Sequence, residues 1–164
     1  MAYQYKLTRP VEFSDTDMAG IMHFSNFFRF MEVTEHAFYR SLGIEVHPEF
    51  IEGKVGWPRV HASCDYKHPL RFEQEVEIQL LVREIRSKSV AYTFIFHTQQ
   101  DGRQIEVARG NITAVAIAMD PIKHTMKAVP IPLHISAKLE VAPPELFHQS
   151  TTPSCPSLTP TQPE

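Results

Sequence analysis

The stretch FSNFFRFMEVTEHAFYRSLG, residues 24–43, repeats its apolar side chains at helical spacing. Phe24, Phe27, Phe28, Met31, Phe38 and Leu42 recur at intervals of three, four and seven, which predicts one helix over residues 24–42. Ser25 or a neighbour stands where an N-cap belongs, and Gly43 directly after Leu42 is a suitable left-handed stop. A helix this aromatic must be buried, so the rest of the chain has to supply its cover.

On either side the period changes to two. Residues 3–13 alternate apolar Tyr3, Tyr5, Leu7, Val11 and Phe13 with polar Gln4, Lys6, Thr8 and Glu12, the pattern of a strand. After an irregular stretch at 43–58, strands are predicted at 60–66, at 75–85 with Val76, Ile78, Leu80 and Val82, and at 89–99 with Val90, Tyr92, Phe94 and Phe96. Gln100-Asp101-Gly102-Arg103 reads as a hairpin turn, because Asp-Gly accepts the positive φ angles such turns require. A long last strand follows at 105–119, with Gly110 as a candidate bulge. Strand, helix and four strands predict an α+β domain over residues 1–142, since a single helix buries its faces only if the sheet curls round it. From residue 143 to 164, six prolines and seven Ser or Thr leave little to bury, and that tail is expected to be disordered and dispensable.

Composition narrows the partners. The 164 residues suit one domain, and a net charge of -3 with a pI near 6.3 argues against a nucleic-acid surface. No run approaches the roughly 18–20 apolar residues of a membrane span, and residues 1–8 lack an apolar signal core, so a cytoplasmic protein is expected. Cys64 and Cys155 form no disulfide framework and are expected to be free thiols.

The chemistry concentrates in the loop before the helix. Asp15, Asp17 and Gly20 fit the opening of a calcium loop, yet Ala19 and Asn26 occupy positions where ligands, including a bidentate Glu, belong. Two aspartates before a helix are in general turn formers or caps. The chain has no G-x-S-x-G elbow, P-loop, G-x-G-x-x-G or H-E-x-x-H. Its nine histidines are scattered without ligand spacing, so neither a metal nor a cofactor is expected.

The run VEFSDTDMAGIMHFSNF at 11–27, continuing into FRFME, together with DYKHPLRF at 65–72, resembles the 4-hydroxybenzoyl-CoA thioesterase family over roughly residues 3–135. That resemblance implies a hotdog fold: a long central helix wrapped by a curved five-stranded antiparallel sheet. It also implies edge-to-edge pairing into a homodimer or homotetramer, active sites between subunits, and hydrolysis of an acyl-CoA. Carried over, the catalytic carboxylate is Asp17, as nucleophile or general base, with Asp15 supporting it and the backbone N–H of Phe24 as oxyanion donor. Gly20, His23 and Asn26 then line the substrate, while Arg86, Lys88 and Ser89 meet the nucleotide phosphates of coenzyme A. No cofactor is implied, because a thioester is already activated. Having Phe24 where some relatives have His leaves aryl and short aliphatic acyl groups both open, as well as an acyl-carrier-protein substrate. A non-catalytic acyl-CoA sensing module is the alternative. A dehydratase would need an acid-base His, for which His36 is the mid-helix candidate.

Overall fold

The computed structural model describes residues 1–45, 55–120 and 125–148. Its elements are β1 (Gln4–Pro10), α1 (Asn26–Ser41), β2 (Arg59–Tyr66), β3 (Glu75–Ile85), β4 (Ser89–Gln100), β5 (Arg103–Val115), β6 (Ile117–Asp120), β7 (Thr125–Ala128) and the short α2 (Leu133–Ser136). Five strands form one antiparallel sheet in the order β1-β3-β4-β5-β2, and β6 and β7 form a separate ribbon. This is the hotdog arrangement. No helix among the described residues is long and apolar enough to cross a membrane.

α1 lies against the concave face of the sheet. Phe27, Phe30, Met31 and Phe38 are buried on Ile78, Leu80, Val82, Tyr92, Phe94 and Phe96. Closure is tightest at Gly110, where an added Cβ would stand 2.8 Å from Met31 Cε. The ladder is regular there, with Gly110 opposite both Phe94 and Cys64. The expected bulge is therefore not at Gly110. The β4–β5 register shifts between Phe96 and His97, and the glycine serves instead to let the helix approach.

The helix ends as its sequence predicts. Gly43 has φ 64°, its N–H reaches the Arg40 carbonyl, and Ile44 N–H reaches that of Tyr39, the paired bonds of a Schellman stop. Its start departs from expectation. Ser25 is already helical (φ -68°, ψ -24°) and makes no side-chain cap; its hydroxyl pairs with His23 Nδ1 at 2.8 Å. The hairpin turn has Asp101 at φ 51° and Gly102 at φ 73°, as a type I′ turn requires.

The last strand is shorter than predicted. β5 leaves the sheet at Ala116, whose N–H bonds Lys88 O and whose carbonyl accepts from Val129 N–H, so 117–120 pair with β7 instead. The first residues of the predicted tail pack against the domain. Residues Pro144–Phe147 form a 3-10 turn, and Leu146 and Phe147 pack with Ala142 on Leu81 and Ile95, which the sheet's outer face would otherwise expose. Phe147 O also accepts from Arg109 Nη1 at 2.8 Å. Residues 149–164, with Cys155, lie outside the described residues. A chain stopped after Ala142 is accordingly expected to lose about 2 kcal/mol, the order for uncovering two half-buried apolar side chains, in urea denaturation followed by circular dichroism.

Candidate active site

Asp17 is held by its own turn. Its N–H bonds Ile21 O at 3.0 Å, its carbonyl accepts from Gly20 N–H at 2.9 Å, and its Oδ1 accepts from Ala19 N–H at 2.8 Å. Gly20 closes the turn at φ 71°, a conformation that suits glycine. With Oδ1 committed to this Asx turn, Oδ2 is left without a hydrogen bond among the described residues. The carboxylate is exposed, at the rim of the loop.

Asp15 is the loop's internal brace. It is 9% exposed, and its Oδ2 accepts from Glu12 N–H at 2.9 Å. Its carbonyl accepts from both His23 N–H at 2.8 Å and Asn26 Nδ2 at 2.8 Å. Asn26 is thus a buried tie between loop and helix, and the structure does not present its amide to the groove as a substrate contact. Met22 N–H bonds Leu70 O at 2.7 Å, fixing the loop against the segment after β2.

Between these pieces runs an apolar groove of ≈ 510 Å³. Asp17, Met22, Phe24, Phe27, Tyr66 and His68 are among its walls. The Phe24 ring is 60% exposed, its N–H donates no hydrogen bond among the described residues, and its carbonyl accepts from Tyr66 Oη at 3.2 Å. No side chain caps α1, but Asn26 N–H bonds His23 O at 2.9 Å and Phe28 N–H bonds Ser25 O at 3.2 Å, so Phe24 N–H, just before the helix, is the donor open to a developing negative charge. His23 stacks beside Phe24 at 4.4 Å between centroids, outside the groove lining. Tyr66 and His68 were within reach of sequence reasoning, because they stand in the 65–72 segment, but nothing in the pattern tied them to Asp17.

Arg86, Lys88 and Ser89 are elsewhere in the chain. Arg86 and Lys88 occupy the β3–β4 connection and Ser89 opens β4, with Arg86 Nε bonded to Glu84 at 2.8 Å. Asp17 lies toward the opposite end of the sheet, where Pro10 pairs with Glu75. Eleven residues of β3 separate those ends by about 34 Å at roughly 3.4 Å per residue. Within one chain Asp17 and the turn at 86–88 therefore lie toward opposite ends of the sheet.

A second cavity, ≈ 240 Å³, opens farther along α1 between Glu35, Tyr39, Ile44, Val55, Trp57 and Arg59. Glu35 has no exposed surface; its Oε2 accepts from Arg59 Nη2 at 2.6 Å, and its Oε1 has no partner among the described residues. Burial pushes the Glu35 carboxyl up to about 7, against the pull of Arg59. Sequence reasoning passed over Glu35, although a carboxylate four residues after Met31 and three before Phe38 stands on the buried stripe. Among the described residues, no three His, Cys, Asp or Glu side chains gather as metal ligands.

A profile of the Thioesterase-like superfamily matches residues 11–139. The chain belongs to the Thioesterase-like superfamily. It is a thioester hydrolase, and related proteins agree. A putative esterase of Aquifex aeolicus is 30% identical over 103 residues, 63% of this chain and 77% of that protein. A 1,4-dihydroxy-2-naphthoyl-CoA hydrolase of Synechococcus elongatus is 35% identical over 77 residues, 46% of this chain and 57% of that protein. The structure of BH1999 gentisyl-coenzyme A thioesterase superposes with a TM-score of 0.65 at 31% identity, over 82% of this chain and 98% of that one. The 4-hydroxybenzoyl-CoA thioesterase of Pseudomonas sp. strain CBS-3 has the same fold, with a TM-score of 0.71 at 20% identity over 82% of this chain and 99% of that one.

Proposed function

We propose that this thioesterase hydrolyses an acyl-CoA, of aryl or short acyl type, in the groove beside Asp17. The observation that carries the reading is the pairing of an exposed, turn-fixed carboxylate with the unbonded N–H of Phe24 on one apolar groove. The thioester carbonyl oxygen points at Phe24 N–H, where the helix end stabilises the oxyanion. Asp17 Oδ2 either attacks the carbonyl carbon, expelling the thiolate and leaving a mixed anhydride for water to open, or takes a proton from the attacking water. Either route ends in free acid and coenzyme A. Relatives named for naphthoyl, gentisyl and hydroxybenzoyl thioesters favour an aryl group.

The reading also calls for a second copy. β2 is an edge strand, with Val60 63% and Tyr66 47% exposed, and an open edge invites pairing. Arg59 pairs with Ala114 and Ser89 with Val115, so the 86–88 connection lies at the Arg59 end of the sheet. Antiparallel pairing of β2 with its copy about a two-fold sets each Arg59 end against the other chain's Tyr66 end. The partner's Arg86 and Lys88 then approach the end of the sheet that carries Asp17, which supports their role on the nucleotide phosphates of a homodimer or a larger assembly.

Free thiol released from a panel of acyl-CoAs, read with a thiol-reactive dye, tests the function; binding without release would point to a sensing module instead. Replacing both Arg86 and Lys88 by Ala is expected to raise KM for acyl-CoA while leaving turnover of a short pantetheine thioester little changed, as for lost uniform binding. Equal losses on both substrates would refute the phosphate assignment.

A further inference from the structure

Both peptide groups that flank the Phe24 α-carbon are tied down, and only one of the ties belongs to the helix. His23 O accepts from Asn26 N–H at 2.9 Å, the local turn that opens α1. Phe24 O, one peptide further on, takes no backbone N–H among the described residues; it accepts from Tyr66 Oη at 3.2 Å, 42 residues away at the end of β2. Phe28 N–H, the donor that an earlier helix start would give to Phe24 O, bonds Ser25 O at 3.2 Å instead. Residue 24 therefore stays outside the helix, with its N–H unbonded at the groove wall.

Packing holds Tyr66 in place for this bond. Its ring meets Phe27 edge-on at 5.1 Å between centroids, and the buried Phe27 meets Phe96 of the sheet in the same way at 5.2 Å. Its main chain is fixed by the sheet, opposite Ala108 of β5. Desolvation, then the neighbouring Cys64 thiol, push the Tyr66 hydroxyl up to about 12, so it keeps its proton at neutral pH. A hydroxyl has one proton to donate, and here that proton is committed to Phe24 O.

Resting on the acyl-CoA reading above, we infer that Tyr66 is a positioning residue for the reaction: its hydroxyl pins the Phe24 carbonyl and so keeps the Phe24 N–H aimed at the thioester oxygen. With the hydroxyl gone, Phe24 O is free to take Phe28 N–H, which extends α1 toward Phe24 and turns the oxyanion donor along the helix axis. The value of such a donor lies in pointing at the charge before it forms. Binding of the rest of the acyl-CoA does not depend on that N–H, so the effect belongs in kcat.

The test is Tyr66→Phe, which keeps the ring on Phe27 and removes only the hydroxyl. Because Tyr66 is 47% exposed, no group is left buried without a partner, and the urea midpoint should stay close to the native one. With benzoyl-CoA or butyryl-CoA, whichever the native protein turns over faster, kcat should fall about 3- to 10-fold at an unchanged KM, the scale of one neutral hydrogen bond. A second readout uses Asp17→Asn with the same thioester bound intact and isotope-labelled at its carbonyl carbon. Its carbonyl infrared stretch should lie below that of the free thioester, and adding Tyr66→Phe should return it toward the free value. A kcat within about twofold of native, a rise in KM at constant kcat, or a loss that tracks a drop in stability overturns this inference alone. So does an infrared stretch that Tyr66→Phe leaves unmoved, or a fall in kcat approaching about 100-fold, the scale for a group that itself meets the oxyanion. No thiol release from any acyl-CoA overturns the acyl-CoA reading and the inference with it.

Discussion

Asp17→Asn is expected to lower kcat by on the order of 10²-fold or more, the usual scale for losing a general base or nucleophile. The structure makes this a clean substitution. An Asn side-chain oxygen can still accept from Ala19 N–H, so the turn that includes Gly20 at φ 71° should persist. What disappears is the charge and basicity of the free oxygen. Asp15→Asn is the contrasting case: Asp15 works inside the loop, toward Glu12, so its loss should appear mainly as reduced stability and far less in kcat. Steady-state thiol release from both variants, with folding checked by circular dichroism, separates the two roles.

Arg59→Ala should cost about 1.4 kcal/mol more at pH 8 than at pH 5.5, because a carboxyl that can escape by protonating is limited to about 1.4 kcal/mol per pH unit above its folded pKa. Glu35 has its folded pKa near 7, above its ordinary 4.5. Between those values the folded protein holds a proton that the unfolded chain has released, so this group's contribution to stability falls as pH rises through the window. Arg59 pulls that pKa down; removing it lets Glu35 stay protonated to higher pH. The variant's deficit should therefore be small at pH 5.5, where Glu35 is neutral in both proteins, and larger by that amount at pH 8. Urea denaturation at the two pH values measures it.

These outcomes bear on what the sequence can disclose. α1 and β1–β4 were legible because burial on one face writes a period into the chain, 3.6 for residues 24–42 and two for 89–99. The stop at Gly43 was equally local. The start of α1 was not, since the choice of Ser25 between a helix N–H and His23 depends on the loop's three-dimensional path. β5 looked continuous to 119 because its apolar residues run on, while the break at Ala116 is made by Lys88 and Val129, both distant in sequence. Leu146 and Phe147 were submerged in a proline-rich composition, and only the apolar Leu81 and Ile95 on the outer face give them something to cover. In the site, Asp17 and Phe24 came from a motif contiguous in sequence. Glu35 meets Arg59, and Phe24 meets Tyr66, only through β2, whose two ends bond one residue of α1 and one of the loop just before it.

The most direct measurement is a crystal structure of Asp17→Asn with intact 4-hydroxybenzoyl-CoA. The account predicts the thioester carbonyl oxygen about 2.7–3.1 Å from Phe24 N–H. It also predicts the carbonyl carbon facing residue 17 and the nucleotide on the partner's Arg86 and Lys88. A thioester bound away from the start of α1, with residue 17 out of reach of its carbonyl, would contradict it.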